Sequence, residues 1–287
     1  MSKRLIVTAD DFGRSVEVNE AVEDAHVNGI LTSASLMVTE AACADAVARA
    51  KRLPRLGVGL HVTMVDGIPA LPPEAIPALV GPDGRFGRDL VRKGARIFLD
   101  REAQRQAREE MRAQFERFAA TGLRLAHVDF HHHYHQHPTL FAIAVDLAVE
   151  FGALGIRIPY EPALASIAAR GDKIGLRLFN GLAYAPLCAW MRARAKAAGL
   201  VVNDRSFGLN DSGAMDLAKV ASYLDHLPDG LSEIYSHPAT GHWGVRPMPS
   251  TYQVSAEYRA LIDPSNRARV RDRGITLVSF VQAAAEA

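Results

Sequence analysis

Cysteine is scarce in this chain, which has two in 287 residues, Cys43 and Cys188. Two cysteines so far apart form neither a CxxC motif nor a disulfide framework, so we exclude a disulfide-stabilised scaffold and expect a reducing compartment. Net charge is equally small, at +1 from 33 basic and 32 acidic residues. Such a balance lacks the basic footprint of nucleic-acid-binding proteins, and we therefore exclude nucleic acid as the main partner.

Long apolar runs are also missing. No stretch reaches the roughly 18–20 apolar residues that a membrane span requires. The nearest candidate, residues 178–191, is interrupted by Asn180, Gly181 and Pro186. The N-terminal segment has neither the apolar core nor the small-residue cleavage site of a signal peptide. We therefore expect a cytoplasmic protein, either free or bound peripherally to the inner membrane.

The chain does contain a regular alternation of apolar, β-rich runs with stretches of helical period. Strands are predicted at residues 5–8, 33–38, 57–62, 125–130, 156–158, 201–207, 232–236 and 275–279. This alternation predicts a parallel α/β sheet. At this length we expect one domain over residues 1–287, folded as a closed or nearly closed TIM-barrel-like (β/α) barrel of seven or eight strands. A doubly wound open sheet is the alternative.

Polar residues recur where the predicted strands end. In chain order they are Asp10, Asp11, His61, the histidines that follow the fourth strand, Arg157, Asn203, Asp204 and His237. In a barrel the carboxyl ends of the strands gather at one mouth, where catalytic residues are found. We therefore expect these residues to converge on one site, although they are distant in sequence.

The densest of these positions is the segment 127–138, which holds six of the eleven histidines within eleven residues. Neutral imidazole is the commonest protein ligand for zinc. Packing alone is a costly explanation, because each buried imidazole must find a hydrogen-bond partner. The segment therefore predicts a metal site.

Strand periodicity sorts this segment into two faces. The face expected to point at the barrel mouth carries His127, Asp129, His131, His133 and His135. His132 lies on the opposite face and is expected outside the first coordination sphere. Strand geometry must end before Pro138, so the order beyond His133 is left open.

A catalytic zinc takes about three protein ligands and keeps a position open. Asp11, His61 and His131 would supply one oxygen and two nitrogens from three strand ends. Asp10 cannot easily share the orientation of Asp11, and we expect it beside the metal as a general base. His237 is the candidate proton donor to a leaving group.

Five motifs occur in an order that resembles the YdjC-type carbohydrate deacetylases, namely TADDFG, HVNGILTSASLMV, GVGLHV, HVDFHHHYH and YSHP. The resemblance runs from residue 4 to about residue 160, with a weaker tail to about 280. It implies a TIM-barrel-like fold, one divalent metal ion (Zn²⁺ or Mg²⁺) and hydrolysis of the N-acetyl group of an amino sugar. It also implies metal ligation by Asp11, His61 and His131, with Asp10 as base and His237 as acid.

A closer resemblance is to the branch of that family associated with hopanoid biosynthesis, through KRLPRLGVGLHV, VNDRSFGLNDSGAM and EIYSHPATGHW. It implies an N-acetylglucosaminyl-hopanoid glycolipid as substrate, with soluble chitooligosaccharides as the alternative. Two departures are His132, where many relatives have lysine, and SHPAT in place of HPG. The first weakens a ligand role for His132, and the second leaves the role of His237 less secure.

Further residues are expected to contact substrate: His127, Asp129, His133, His135, Arg157, His242 and Trp243. Trp243 is included because an indole face suits a sugar or sterol-like ring. Two rival functions stay open. One is another metal-dependent hydrolase on the same fold, such as a phosphoesterase, and the other is a non-enzymatic metal store.

The segment 170–196 predicts a peripheral membrane contact. Its apolar centre is flanked by the basic residues Arg170, Lys173, Arg177, Arg192, Arg194 and Lys196. Apolar surface with a basic rim is typical of segments that meet an anionic bilayer. The alternatives are an ordinary pair of packed helices and the interface of a homo-oligomer.

Overall fold

The computed structural model describes residues 2–244 and 248–286 and contains one parallel sheet within them. Its strands are β1 (Lys3–Phe12), β2 (Ser33–Leu36), β3 (Gly57–Val62), β4 (His127–Phe130), β5 (Gly155–Ile156), β6 (Arg205–Phe207), β7 (Gly230–Ser236) and β8 (Ile275–Leu277). The strand order is β5-β4-β3-β2-β1-β7-β6, and β8 pairs with β1. The sheet curls into a distorted, TIM-barrel-like α/β barrel, as the sequence predicted.

β1 is the central strand of this barrel. It pairs with β7 over Lys3–Ala9, with β8 over Lys3–Leu5 and with β2 from Thr8 onward. β7 pairs with one edge of β1. On the other edge of β1, β8 pairs with the first residues and β2 with the last ones. Residues Leu5 to Phe12 are all buried. The carboxyl end of β1, which carries Asp10 and Asp11, therefore lies in the middle of the sheet.

The helices that cover the strands are α1 (Val16–Asn28), α2 (Cys43–Arg52), α3 (Leu90–Leu99), α4 (Arg101–Ala120), α5 (Pro138–Glu150), α6 (Ala163–Arg170), α7 (Ile174–Ala183), α8 (Ala185–Ala197), α9 (Leu217–Asp225), α10 (Val254–Ile262), α11 (Pro264–Asp272) and α12 (Phe280–Ala285). Side-chain caps fix where several begin: Ser15 accepts a hydrogen bond from the Val18 amide, and Ser279 forms a capping box with Gln282. Within the described residues, none of these helices is long and apolar enough to cross a membrane.

Asn203 holds the barrel together where its strands are shortest. β5 has two residues, and beyond its edge a single bridge joins Gly155 to Val201. Two residues after Val201, Asn203 Oδ1 accepts from the Ile158 amide at 2.8 Å, and its Nδ2 donates to the Ile158 carbonyl at 2.9 Å. A side-chain amide thus replaces a backbone ladder. Asn203 precedes β6 rather than lying in or after it, which corrects the predicted strand.

We predict that Asn203→Ala destabilises the fold by roughly 1–3 kcal/mol, because it leaves the buried N–H of Ile158 unpaired, whereas the Ile158 carbonyl still accepts from the Tyr160 amide at 2.9 Å. Urea unfolding monitored by circular dichroism measures the change. Asn28→Ala, at the exposed end of α1, is the matched control and should shift stability far less. Equal shifts in the two variants would contradict the closing role of Asn203.

Candidate active site

The carboxyl end of β1 separates two adjacent carboxylates. The β1–β2 register shifts between Ala9 and Phe12, and Asp11 has a φ of 65°. A positive φ is unusual for a residue other than glycine and marks a local bulge. Asp10 consequently contacts Arg157, whereas Asp11 contacts His61 and His131. The two aspartates reach different partners, as the sequence predicted from their adjacency.

Asp11, His61 and His131 form a buried cluster whose ligand atoms lie within 4.8 Å of one another. Asp11 Oδ1 is 3.0 Å from His131 Nδ1 and 3.4 Å from His61 Nε2. Neither contact has the geometry of a hydrogen bond, so among the described residues both Asp11 oxygens and His131 Nε2 lack a hydrogen-bond partner. Buried polar atoms are rarely unpaired, because each loses its hydration. One carboxylate and two imidazoles are a donor set for Zn²⁺ or a similar ion, so the cluster fits a divalent metal.

The charges around the cluster keep the carboxylate of Asp11 ionised. Burial would raise the pKa of Asp11, but His131, His61 and Arg14 hold it well below the ordinary value. Burial would lower the pKa of His61, yet the Asp129 and Asp11 carboxylates raise it to about 10. Burial lowers the pKa of His131 to about 4. In the metal-free protein, His61 therefore carries a proton and His131 does not.

Asp129 orients His61 within the cluster. Its Oδ1 is 2.8 Å from His61 Nδ1, which leaves Nε2 on the side of Asp11. Ser35 donates to the other Asp129 oxygen at 2.7 Å. A carboxylate behind a ligating histidine fixes the ring orientation and the tautomer at metal sites. Asp129 is fully buried and lies behind His61, and the substrate contact predicted for it stays a prediction.

Arg157 is the buried cation of the site and follows β5 rather than lying within it. Its Nη1 and Nη2 donate to the two Asp10 oxygens at 2.9 and 2.8 Å. Nη1 also lies 2.8 Å from Asp129 Oδ2, and Nε donates to Glu233 at 3.0 Å. Such a paired, planar arrangement fixes the Asp10 carboxylate in one orientation. Arg157 is completely buried and is not among the residues that line the cavity, and the substrate contact predicted for it stays a prediction.

A cavity of about 290 Å³ opens above these residues. Its lining includes Asp10, His131, His132, His133, Tyr235, His237, Trp243 and Tyr252. Asp10, one cluster histidine and His237 therefore share one chamber, although they come from β1, from the segment after β4 and from the segment after β7. The convergence predicted from the strand ends brings these three residues together.

His237 directly follows β7 and is backed by a carboxylate that the sequence reading missed. The His237 amide donates to Glu257 Oε2 at 2.6 Å, and the ring Nδ1 lies 3.9 Å from the same oxygen. Burial raises the pKa of Glu257, and His237 opposes that shift. Glu257 lies on the buried face of α10 with Val254, Ala260 and Leu261. In the sequence, the signal for this buried carboxylate is a glutamate among apolar residues on one face of a helix.

The histidine segment departs from strand geometry earlier than its pattern suggests. β4 ends at Phe130, and residues His131–Gln136 form a 3₁₀ turn in which His132 and His133 have φ values of 55° and 51°. His132 is exposed and its Nε2 lies 3.8 Å from Asp66 Oδ2. The ring of His133 packs against Tyr235 at 4.8 Å and borders the cavity. Period-two alternation therefore fails beyond His131.

His127 and His135 do not line the cavity, and both are fully buried. His127 begins β4, at the far end from the mouth, where it stacks on Phe280 and contacts Ser35. The 3₁₀ turn carries His135 back into the core, where Nε2 contacts the Arg157 carbonyl at 3.1 Å. Direct substrate contact, which the strand-face argument predicted for both, would require them to leave these positions.

In the loop after β7, the two adjacent residues that were predicted to contact substrate, His242 and Trp243, lie in different environments. Trp243 is buried, borders the cavity and lies under the Arg14 guanidinium at 3.6 Å. His242 is exposed and uses its backbone carbonyl to accept from Ser15 at 2.8 Å. The aromatic wall of the cavity thus includes Trp243, whereas His242 is not among the lining residues.

A curled parallel barrel with its polar cluster at the strand ends is typical of TIM-barrel-like enzymes. The chain belongs to the YdjC-like protein family, whose model matches residues 4–272. It is 37% identical over 282 residues to a carbohydrate deacetylase of Brevibacillus brevis, covering 96% of this chain and 98% of that one. It is also 34% identical over 283 residues to a chitooligosaccharide deacetylase of Serratia marcescens, covering 98% and 99%.

A solved structure shows the same fold. The crystal structure of a protein from Enterococcus faecalis V583, provisionally described as a cellobiose-phosphate cleavage protein, superposes with a TM-score of 0.74. It covers 99% of both chains at 23% sequence identity. At that identity the similarity supports the architecture and carries no argument about activity.

Zn²⁺ binding should release about one proton per chain at pH 7–8, because metal ligands bind deprotonated and only His61 is protonated beforehand. Its raised pKa of about 10 means that apparent affinity should rise roughly tenfold per pH unit up to that value. Calorimetric titration in buffers of different ionisation enthalpy counts the proton. His226→Gln, on the protein surface, should leave the count unchanged, and a count of zero in the native chain would contradict the assignment.

Proposed function

We propose that this protein is a metal-dependent carbohydrate deacetylase that hydrolyses the N-acetyl group of an N-acetylated amino sugar. The observation that carries the proposal is the shared chamber, in which Asp10 and His237 border the same cavity as His131. Family membership and the relatives named as carbohydrate and chitooligosaccharide deacetylases support the substrate class.

The metal ligands in this proposal are Asp11, His61 and His131. These residues would hold a divalent ion, whose Lewis acidity would polarise the acetyl carbonyl and lower the pKa of a water molecule. The fold brings the ligand atoms of these three residues together, and their burial keeps other hydrogen-bonding groups away from them. Asp129 keeps the His61 ring turned toward Asp11.

Asp10 acts as the general base in this proposal. Arg157 clamps its carboxylate by two hydrogen bonds, so the side chain does not need to reorient when it accepts a proton from the attacking water. His237 acts as the general acid and donates a proton to the nitrogen as the C–N bond breaks. Glu257 Oε2 lies 3.9 Å from the ring Nδ1 of His237 and places a carboxylate beside this donor. The products are acetate and the free amine.

Replacement of Asp10 by asparagine should lower kcat for acetate release by at least about 100-fold, because the amide cannot accept the proton. The metal content should stay unchanged, since Asp10 is not among the proposed ligands. Both are measured on one preparation with an N-acetylglucosaminyl substrate, and a phosphate monoester tests the phosphoesterase alternative. Asp272→Asn, an exposed change of the same kind, is the control.

Full acetate release by the Asp10→Asn protein would contradict the base assignment. Turnover of the phosphate ester without acetate release by the native protein would contradict the deacetylase itself.

We further propose an N-acetylglucosaminyl glycolipid, of the hopanoid type, as the substrate, rather than a soluble chitooligosaccharide. Helix α7 supports an amphiphilic substrate because it is apolar on the outside. Its buried residues are Arg177 and Gly181, whereas Phe179 and Leu182 are 68% and 69% exposed. We call the outward side chains Ile174, Leu176, Phe179 and Leu182 the α7 apolar face. Exposed apolar surface of this kind marks an interaction site.

Several residues of the basic rim expected around this segment pair with groups of the protein itself, Arg177 in the interior and Arg194 on the surface. Arg177 is fully buried and pairs with Asp211 at 2.8 Å. Arg192 donates to the Asp204 carbonyl at 2.7 Å, and Arg194 pairs with Asp146 at 3.3 Å. The proposed membrane contact therefore depends on the α7 apolar face and not on attraction to anionic lipid.

The double variant Phe179→Ser/Leu182→Ser should lower binding to phosphatidylcholine vesicles by at least about tenfold, since each large apolar side chain contributes roughly 1.5–3 kcal/mol on burial. Vesicle sedimentation measures binding, with Val27→Ser on α1 as the exposed apolar control. Unchanged binding by the double variant would contradict the membrane contact. Loss of a dimer in the double variant would instead identify the face as a subunit interface.

A further inference from the structure

Helix α3 lies beside the cavity of the proposed active site. Leu90, its first residue, and Arg88, just before it, border that cavity. On the inward side of the helix Gly94 and Ile97 are buried, and His137 Nε2 contacts the Gly94 carbonyl at 3.0 Å. A Cβ at position 94 would lie 3.3 Å from His137 Cδ2, so glycine lets the helix pack closely on the segment after β4. These contacts hold α3 on the carboxyl-end face of the barrel.

The outward side of α3 is apolar. Val91, Phe98 and Leu99 are 83%, 58% and 80% exposed, and Ala95 is exposed with them. At 3.6 residues per turn these four positions form one stripe about 100° wide, which we call the α3 apolar stripe. A helix at a protein surface normally turns its apolar stripe toward the core and polar residues toward water. Packing within this chain therefore does not explain the stripe, and exposed apolar surface of this kind marks an interaction site.

Positive charge is concentrated around the same helix. Residues 85–101 hold six basic and two acidic residues, although the whole chain has a net charge of only +1. Both acidic residues cap helices, since Asp89 accepts from the Arg92 amide and Asp100 accepts from the Glu102 amide. The stretch therefore presents a local excess of positive charge.

Most of these basic side chains point to solvent. Lys93 Nζ donates to the Met64 carbonyl at 3.2 Å, and Arg88 pairs with Asp66 at 3.1 Å. The remaining four are exposed, namely Arg85, Arg92, Arg96 and Arg101. Arg92 and Arg96 follow one edge of the α3 apolar stripe, because they are one and five positions after Val91. The helix thus combines an outward apolar stripe with a basic edge.

This combination distinguishes between possible partners. A second copy that docked through the same stripe would bring the arginines of both copies together, which like-charge repulsion disfavours. A nucleic acid would pair with the arginines and leave the apolar stripe in water. The surface of an anionic bilayer matches both features, because its phosphates attract the arginines and its acyl region accepts the apolar side chains.

We propose that α3 docks on a bilayer that contains anionic phospholipid, with the α3 apolar stripe inserted and Arg92 and Arg96 against the lipid phosphates. The contact differs from the one proposed for α7, which depends on apolar side chains alone. Because Leu90 borders the cavity, docking through α3 brings the cavity entrance close to the membrane surface. The proposal does not depend on the deacetylase function, since it concerns binding.

The double variant Arg92→Glu/Arg96→Glu tests the electrostatic part of this contact. Its binding to vesicles that contain phosphatidylglycerol should fall at least about tenfold, because two attractive charges become repulsive. Its binding to phosphatidylcholine vesicles should stay unchanged. Vesicle sedimentation measures both. Arg267→Glu/Arg271→Glu is the matched control, because it makes the same change in net charge with exposed residues of α11.

The double variant Val91→Ser/Leu99→Ser tests the apolar part. Its binding should fall at least about tenfold on both kinds of vesicle, since the stripe loses two large apolar side chains. Val27→Ser on α1 is the exposed apolar control.

Native-like binding to phosphatidylglycerol vesicles by either α3 double variant would overturn the proposal. Loss in the arginine variant alone would instead indicate a general polyanion site. Loss of a native dimer in the Val91→Ser/Leu99→Ser protein, without vesicle binding by the native chain, would identify a subunit interface and would also overturn it. Since every readout is binding, the result stands whether or not any substrate is deacetylated.

Discussion

The guanidinium of Arg157 is the interaction on which the rest of the site depends. It is fully buried among three carboxylates, Asp10, Asp129 and Glu233, at 2.8–3.0 Å. Removal of one partner from a buried ion pair typically costs about 3–5 kcal/mol, because the remaining charge is left unpaired. Since these carboxylates come from β1, β4 and β7, one cation links three strands of the barrel. Asp129 then orients His61.

Much of the site could be predicted from the sequence because a parallel barrel leaves little freedom in where strand ends go. Asp11, His61 and His131 converge as expected, and Asp10 and His237 border the same cavity. The prediction succeeded where it needed only strand direction and order. The alternation of strands and helices was sufficient for that, and exact boundaries were not required.

The remainder depended on contacts that a linear pattern does not encode. The left-handed turn at His132 and His133 ended the period-two face, so His135 lies in the core. The pairing of Arg157 with Asp10 and of Glu257 with His237 joins residues more than a hundred and about twenty positions apart. The segment 170–196 is predicted to be apolar with a basic rim, yet Arg177, one of the rim residues, lies on the buried side of α7.

We propose that Asp11, His61 and His131 hold a single divalent ion, with the other histidines of the segment outside its coordination sphere. Metal content per chain, measured by plasma mass spectrometry on the native protein and on His61→Ala, tests it most directly. We expect close to one ion per native chain, and we expect His61→Ala to lose both the ion and acetate release. Several ions per chain, or one ion retained by His61→Ala, would contradict it.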